Sequence, residues 1–418
     1  MNEEKSAIII TMLRVKAPET VLSIIESRFG HLKAQGECVP LSGSLGRILY
    51  EDIVSGESIP GFDRSSVDGW AVHASDTFGC SESLPSLFRI AGEVEMGRPA
   101  RISVAGGECA YVPTGGEAPA GADAVVMVEY SEDYGNGTIG ILTPCAPGEN
   151  IVLKGDDVTI GKRLYNANHR VMAHDIGALS ALGETVVRVY KKPSAAIIST
   201  GNELIPCSER PGGGQVRDVN SSMLSAAVEA AGGEARFFGI SPDDEGALIK
   251  LLQEASSCDL IIVSGGSSAG TRDIVVDVVN SLGETFVHGI AMKPGKPTII
   301  GEIEGKPVFG LPGHPVAAYF VFEIFIYPLI CSMQGISPRR RALSAELSSA
   351  IPSNHGRAEY VPVRLEHTGN GLSAIPIRGK SGLITLLAET DGYVEVSRDC
   401  EGYQSGASVT VNLYFCAD

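Results

Sequence analysis

Aromatic side chains are scarce, at 6% of 418 residues, and Trp70 is the one tryptophan. The chain has no C-x-x-C pair: Cys38, Cys80, Cys109, Cys145, Cys207, Cys258, Cys331, Cys400 and Cys416 are odd in number and scattered. That spacing excludes a zinc-ribbon or thioredoxin-type motif and reads as reduced thiols of a cytoplasmic protein. No H-E-x-x-H occurs among the eight histidines, and His169 and His174, five apart, do not share a helix face. Positive charge is also in deficit: 33 Lys and Arg against 50 Asp and Glu leave a formal charge of -17. This argues against nucleic acid and anionic membranes as partners, since both need a basic field. The amino end, Met1-Asn2-Glu3-Glu4-Lys5, lacks the cationic start of a signal peptide, and Ile8-Ile9-Ile10 is too brief an apolar core, so no export is expected. One run, Val316 to Met333, nears the roughly 18-residue length of a membrane span. It contains Glu323 and Pro328 and is expected to be a buried or interface helix.

What is abundant is apolar residues, at 44%, with 50 glycines and 23 prolines in no fixed period, the composition of a soluble multidomain protein with many turns. From Pro193 apolar runs of strand length alternate with helical patterns. Ser194 to Ile198, Ala235 to Ile240 and Asp259 to Val263 predict buried strands. Phe286 to Met292 and Thr298 to Ile303 predict extensions of the same sheet. Between them, Asn220 is placed to cap a helix with Leu224, Ala227, Val228 and Ala231 on its apolar face, and Asp243-Asp244 open a second. A third helix is expected over 273–282. This pattern predicts a doubly wound, mostly parallel α/β domain over 193–338. Residues 59–154 are rich in glycine, proline and strand-prone runs such as Ala124 to Val128, and predict an inserted strand-rich domain. The flanking 1–58 and 155–192, with Val21, Ile24, Ile25 and Phe29 at helical spacing, predict one discontinuous domain around it. After the solvated Arg339-Arg340-Arg341 linker, 339–418 carry about five alternating segments and predict a small β-barrel.

The chemistry concentrates in four turns. Lys293-Pro294-Gly295-Lys296-Pro297 holds two ammonium groups on a stretch whose prolines fix φ and whose glycine permits close backbone approach. Gly310-Leu311-Pro312-Gly313-His314-Pro315 then opens a helix with orphan amides at its start. Both are anion sites in character. Asp259 to Asp273 runs from a strand into a glycine-rich turn that matches neither the dinucleotide fingerprint nor the P-loop, and that reads equally as a structural turn or an anion nest. Ser199-Thr200-Gly201-Asn202-Glu203 leaves the first strand at the same edge of the predicted sheet; it reads as a capped helix start or as part of a site where these groups are expected to converge.

Further motifs lie in the amino-terminal half: Pro60-Gly61-Phe62-Asp63, Asp68-Gly69, Thr114-Gly115 and Gly121 to Val126. In this order and spacing the set resembles the MoeA/gephyrin E-domain family, the molybdopterin molybdenumtransferases, over nearly the whole chain. The resemblance implies a cytoplasmic homodimer with shared sites, and an adenylyltransferase that supplies the pterin. It implies magnesium-dependent insertion of molybdate into adenylylated molybdopterin, with release of AMP. By matched position it assigns catalytic roles to Lys293 and Lys296, which would hold molybdate or phosphate oxygens, to Asp273 and to Asp68. Asp273, with Asp243 and Asp244, would serve the Mg2+. Substrate would be held by Glu203, by Gly265, Gly266 and Ser267, by Pro312 and Pro315, and by Arg364 and Ser381 of the last domain. Asp68, Thr114 and Asp157 would come from the facing subunit. Three positions depart from the family pattern: Asn202 stands where an aspartate is common, His314 where an asparagine is, and Ala317 where a serine is. Tungstate as the oxyanion stays open, as do an adenylyltransferase and a non-catalytic pterin-binding scaffold.

Overall fold

The computed structural model describes residues 15–265, 274–369 and 371–415, and separates into two compact units. One comprises residues 38–45 and 49–189; the other comprises the described residues before 38, 46–48 and those from 190 on. The second begins with helix α1 (Pro18–Phe29), which opens on a proline at its first position and buries Val21, Ile25 and Phe29.

The 38–189 unit is built on a six-stranded sheet of β1 (Gly69–Val72), β2 (Ser86–Glu93), β3 (Glu108–Val112), β4 (Ala124–Met127), β5 (Ser131–Gly135) and β6 (Thr138–Ile141), in spatial order β4-β1-β3-β2-β6-β5. Helix α2 (Ala173–Ala181) starts where Asp175, 2% exposed, accepts from Met172 N at 2.7 Å and lies 2.7 Å from His169 Nε2 and 3.3 Å from His174 Nε2. Burial alone would raise this carboxyl, but the hydrogen bonds from His169, Met172 and Tyr165 hold it below its ordinary value. The two histidines that share no helix face thus meet at one carboxylate.

The second unit contains the doubly wound layer. Its strands and helices are β7 (Ser194–Thr200), the two-residue strands β8 (Leu204–Ile205) and β9 (Val216–Arg217), α3 (Asn220–Ala230), β10 (Glu234–Ser241), α4 (Glu245–Ala255), β11 (Leu260–Gly265), α5 (Ile274–Leu282), β12 (Glu284–His288), β13 (Met292–Lys293), β14 (Ile299–Ile303) and β15 (Lys306–Leu311). The main sheet has the order β10-β7-β11-β15-β14-β12. Its first four strands are parallel, while β14 is antiparallel to both neighbours. Every residue of β7 and β11 is buried, because helices cover both faces. The two-residue period divides them: Ala195, Ile197, Leu260 and Ile262 face Leu224 and Val228 of α3, whereas Ala196, Ile198, Ile261 and Val263 face Leu248 of α4 and Val279 of α5.

Two local expectations are corrected. The strand foreseen to run to Met292 ends at His288, and Met292–Lys293 pairs in parallel with Ala358–Glu359 of the last domain instead. Asn220 begins α3 without capping it, and its amide serves Ser264 and Gly313.

The long apolar run is helix α6 (Pro315–Met333), buried over most of its length, with a π-helical turn at Phe322–Ile326. Beyond it β16 (Ala342–Leu347), β17 (Ala358–Thr368), β18 (Gly371–Pro376), β19 (Gly392–Val396) and β20 (Ser408–Leu413) pair in the order β17-β18-β16-β20-β19, and β19 returns to β17 to close a five-stranded barrel.

Glu323 in the π turn is 3% exposed, and burial pushes its carboxyl up to about 7, against the opposing pull of the Phe415 backbone, Arg340 and Tyr319. Such a group binds more protons folded than unfolded between about pH 4.5 and 7, so its contribution to stability falls as pH rises through that window. Glu323→Gln cannot titrate. Relative to wild type, it should gain roughly 3 kcal/mol of stability between the two ends of that window. Urea denaturation of both proteins at the two pH values checks this; parallel pH profiles would contradict it.

Candidate active site

Strands β7, β11 and β15 reach one sheet edge together, with Ser199 beside Ser264, Thr200 beside Gly265, and Ser264 beside Leu311. Gly265 has φ +108, and a Cβ there would stand 2.1 Å from the Thr200 carbonyl oxygen, so the strand end accepts no side chain. Asn220 Nδ2 donates to Ser264 Oγ at 2.8 Å and to Gly313 O at 2.9 Å, tying the start of α3 to two strand ends. Thr200 Oγ1 donates to Asp243 Oδ1 at 3.2 Å, and Asp243 N donates to Asn202 Oδ1 at 3.1 Å. Asp244 caps α4 by accepting from Ala247 N at 2.8 Å. Glu203 is exposed beside them. Gly265, Asp243, Asp244 and Glu203 therefore gather at the carboxyl edge, where an open α/β sheet binds ligands. Gly266, Ser267 and Asp273 lie outside the described residues.

A cleft of about 500 Å³ lies against the same edge, with walls from the lysine loop, the start of α6 and the barrel rim. Lys293, Lys296, Pro312, His314, Ala317, Arg357, Arg378 and Ser381 all line it, and Pro315 is buried next to His314 at the helix start. Lys293 Nζ lies 2.6 Å from Oε1 of Glu359, a carboxylate 9% exposed whose Oε2 also accepts from Ser353 Oγ at 2.9 Å. Among the described residues Lys296, Arg357 and Arg378 have no carboxylate partner; Arg378 Nη2 donates to Ala350 O. His314 Nδ1 sits 2.8 Å from Ser381 Oγ, and Val316 N donates to Ser381 O at 3.2 Å, so the barrel loop is seated on the helix start. Ala317 is 3% exposed in the wall. Three uncompensated cations and one compensated ammonium around one cavity make an anion receptor.

Arg364 stands elsewhere, paired with Glu366 at 2.8 Å and absent from the cleft lining. Arg357, Arg378 and Glu359 were not singled out by the sequence reading. The available signal was position: Arg357 immediately precedes β17 and Arg378 closely follows β18, places on a barrel rim.

In the other unit Asp68 Oδ1 accepts from Thr114 N at 2.7 Å, and Gly115 N donates to Ser65 O at 2.8 Å, so two of the expected loop residues form one turn-to-turn contact. Asp157 sits in a separate loop, its N–H on Ile59 O at 3.1 Å and its side chain exposed. Among the described residues no three His, Cys, Asp or Glu side chains cluster as a metal set. Magnesium, however, is held by one or two carboxylates together with phosphate oxygens and water, and exposed Asp243 and Glu203 fit that need.

A doubly wound α/β layer with a cationic cleft between its carboxyl edge and a small barrel defines a multidomain protein built to receive an anion at a sheet crevice. Comparison with known proteins narrows the class: the chain belongs to the MoeA family of molybdopterin biosynthesis proteins. Residues 16–183 match the MoeA N-terminal region (domain I and II), 196–331 a probable molybdopterin binding domain, and 344–414 the MoeA C-terminal region (domain IV). The chain is 33% identical to a putative molybdopterin biosynthesis protein of Methanocaldococcus jannaschii, over 90% of this chain and 91% of that one. It is 31% identical to the molybdopterin molybdenumtransferase of Bacillus subtilis, over 96% and 95%. The crystal structure of a molybdopterin biosynthesis MoeA protein from Pyrococcus horikoshii superposes with a TM-score of 0.87 at 38% identity, covering 96% of this chain and 99% of that one.

Proposed function

We propose that this protein is a molybdopterin molybdenumtransferase, which inserts molybdate into the dithiolene of adenylylated molybdopterin and releases AMP in a magnesium-dependent step. The observation that carries the reading is the cleft in which Lys296, Arg357 and Arg378 stand without carboxylate partners among the described residues, inside a chain of net charge -17. Molybdate and a nucleotide-linked pterin are both anions, and bringing them together needs local neutralisation that the protein as a whole does not provide. Lys293 and Lys296 hold oxyanion oxygens. Arg357 and Arg378 supply planar donor forks from the barrel side, and Ser381, positioned by His314, adds a hydroxyl. The carboxyl edge receives the pterin nucleotide. Bound magnesium would neutralise phosphate charge during cleavage, held by Asp243 and Glu203 and by Asp273. Asp68, Thr114 and Asp157 serve the site of a facing subunit in a homodimer, and an adenylyltransferase delivers the pterin substrate.

The test is incubation of the protein with adenylylated molybdopterin, magnesium and either molybdate or tungstate, followed by metal analysis of the pterin product and assay of AMP. One equivalent of metal in the product with matching AMP is expected. Consumption of ATP with free molybdopterin, and no metal transfer, would assign the chain to the adenylyltransferase step instead.

A further inference from the structure

A second cavity, of about 640 Å³, opens at the far flank of the carboxyl edge and shares no residue with the lysine cleft. Its walls come from the Gly201–Asn202 turn, the β8 region, the start of α3 and the edge strand β10. Strand β10 carries a bulge there: Ile197 pairs with Phe237 and Ile198 with Gly239, leaving Phe238 as the extra residue. Phe238 packs into the core under α4, while Phe237 stays 51% exposed and lines the cavity. Asp218 lines it too and is 3% exposed. Its Oδ1 accepts from Ser221 N at 3.1 Å, whereas Oδ2 has no hydrogen-bond partner. Serving the Ser221 amide and the helix dipole accounts for Oδ1, and a serine or asparagine would serve the amide as well. Neither accounts for a buried anionic oxygen left unpaired, which is costly until a donor is supplied.

We propose that this cavity is the subsite for the pterin ring of the substrate, with Asp218 reading the 2-amino-4-oxo edge and Phe237 offering an apolar face to the bicycle; this rests on the function proposed above. A pterin presents an amino group and a ring N–H side by side, donors that one carboxylate can accept together. Adenine presents an amino group flanked by ring acceptors, which would face the carboxylate lone pairs. The negative charge of Asp218 also turns phosphate away, leaving the anionic end of the substrate to the cationic groups elsewhere on the edge.

The experiment uses the full chain with free pterin, AMP and molybdate as separate probes. Pterin binding is followed by its fluorescence, and occupancy by alkylation of Cys207, an exposed thiol in the cavity wall, with exposed Cys38 of the other unit as internal reference. Pterin is expected to slow alkylation of Cys207 and not of Cys38. Asp218→Asn, which keeps the acceptor for Ser221 N, should weaken pterin binding by roughly tenfold or more. Phe237→Ser, at an exposed position, should also weaken it, and both variants should retain molybdate as wild type does. Pterin that fails to bind wild type, binds Asp218→Asn equally well, or leaves Cys207 unprotected would overturn the subsite while leaving the oxyanion cleft standing. Pterin binding that depends on Asp218 in a protein that cannot retain molybdate would do the reverse.

Discussion

Replacing Lys296 by alanine is expected to lower molybdate insertion by roughly two to three orders of magnitude, the scale seen when one preorganised donor to a developing or bound oxyanion is removed. Lys296 is the better probe of the two lysines because its ammonium has no carboxylate partner among the described residues. Lys293 shares its charge with Glu359 at 2.6 Å, so its removal would also strand a carboxylate that is 9% exposed and mix a folding defect with a binding one. Lys296→Arg keeps the charge but spreads it over a planar guanidinium fork of longer reach, and should recover only part of the activity. The measurement is kcat/KM for metal-loaded pterin, together with molybdate retention in equilibrium dialysis. Near-normal values of both in Lys296→Ala would remove the lysine cleft from the reaction.

The α/β layer was legible in the sequence for a definite reason. Strands covered on both faces read as unbroken apolar runs, and Ser194–Thr200 and Leu260–Gly265 are buried at every position. Barrel strands exposed on one face read as alternation, as Ser408–Leu413 does. The lysine loop and the Pro312–Pro315 turn were legible because proline and glycine constrain the backbone locally. What stayed hidden depends on contacts distant in sequence. Met292 has the apolar character of a sheet strand, and only the placement of the barrel decides that it pairs with Ala358. Asn220 carries the right side chain for a cap, yet bonds to groups 44 and 93 residues away. Arg357 and Arg378 differ from other exposed arginines by their place on the rim, whereas Arg364, inside a strand, is turned to Glu366. A strand pattern fixes the face a side chain takes; it does not say which end of the barrel meets the ligand.

Phe320→Ala should destabilise the second unit by about 3–5 kcal/mol, the usual cost of emptying a buried phenylalanine site. Phe320 is fully buried on α6, with ring centroids 5.3 Å from Tyr393, 5.9 Å from Tyr360 and 6.4 Å from Tyr414, all on or beside barrel strands. These rings join α6 to the barrel, and the first turn of the same helix meets Ser381 through His314 and Val316. Loosening the aromatic contact therefore loosens the wall that carries Arg357, Arg378 and Ser381. Loss of stability and weaker molybdate retention should appear together, although Phe320 is absent from the cleft lining. Denaturation followed by near-ultraviolet circular dichroism of the tyrosines reports the cluster, and fluorescence of Trp70 in the other unit supplies the reference. The tyrosine transition should move to lower denaturant further than the Trp70 transition does. A variant that loses stability but retains molybdate as wild type does would show that the cleft keeps its shape without this aromatic contact.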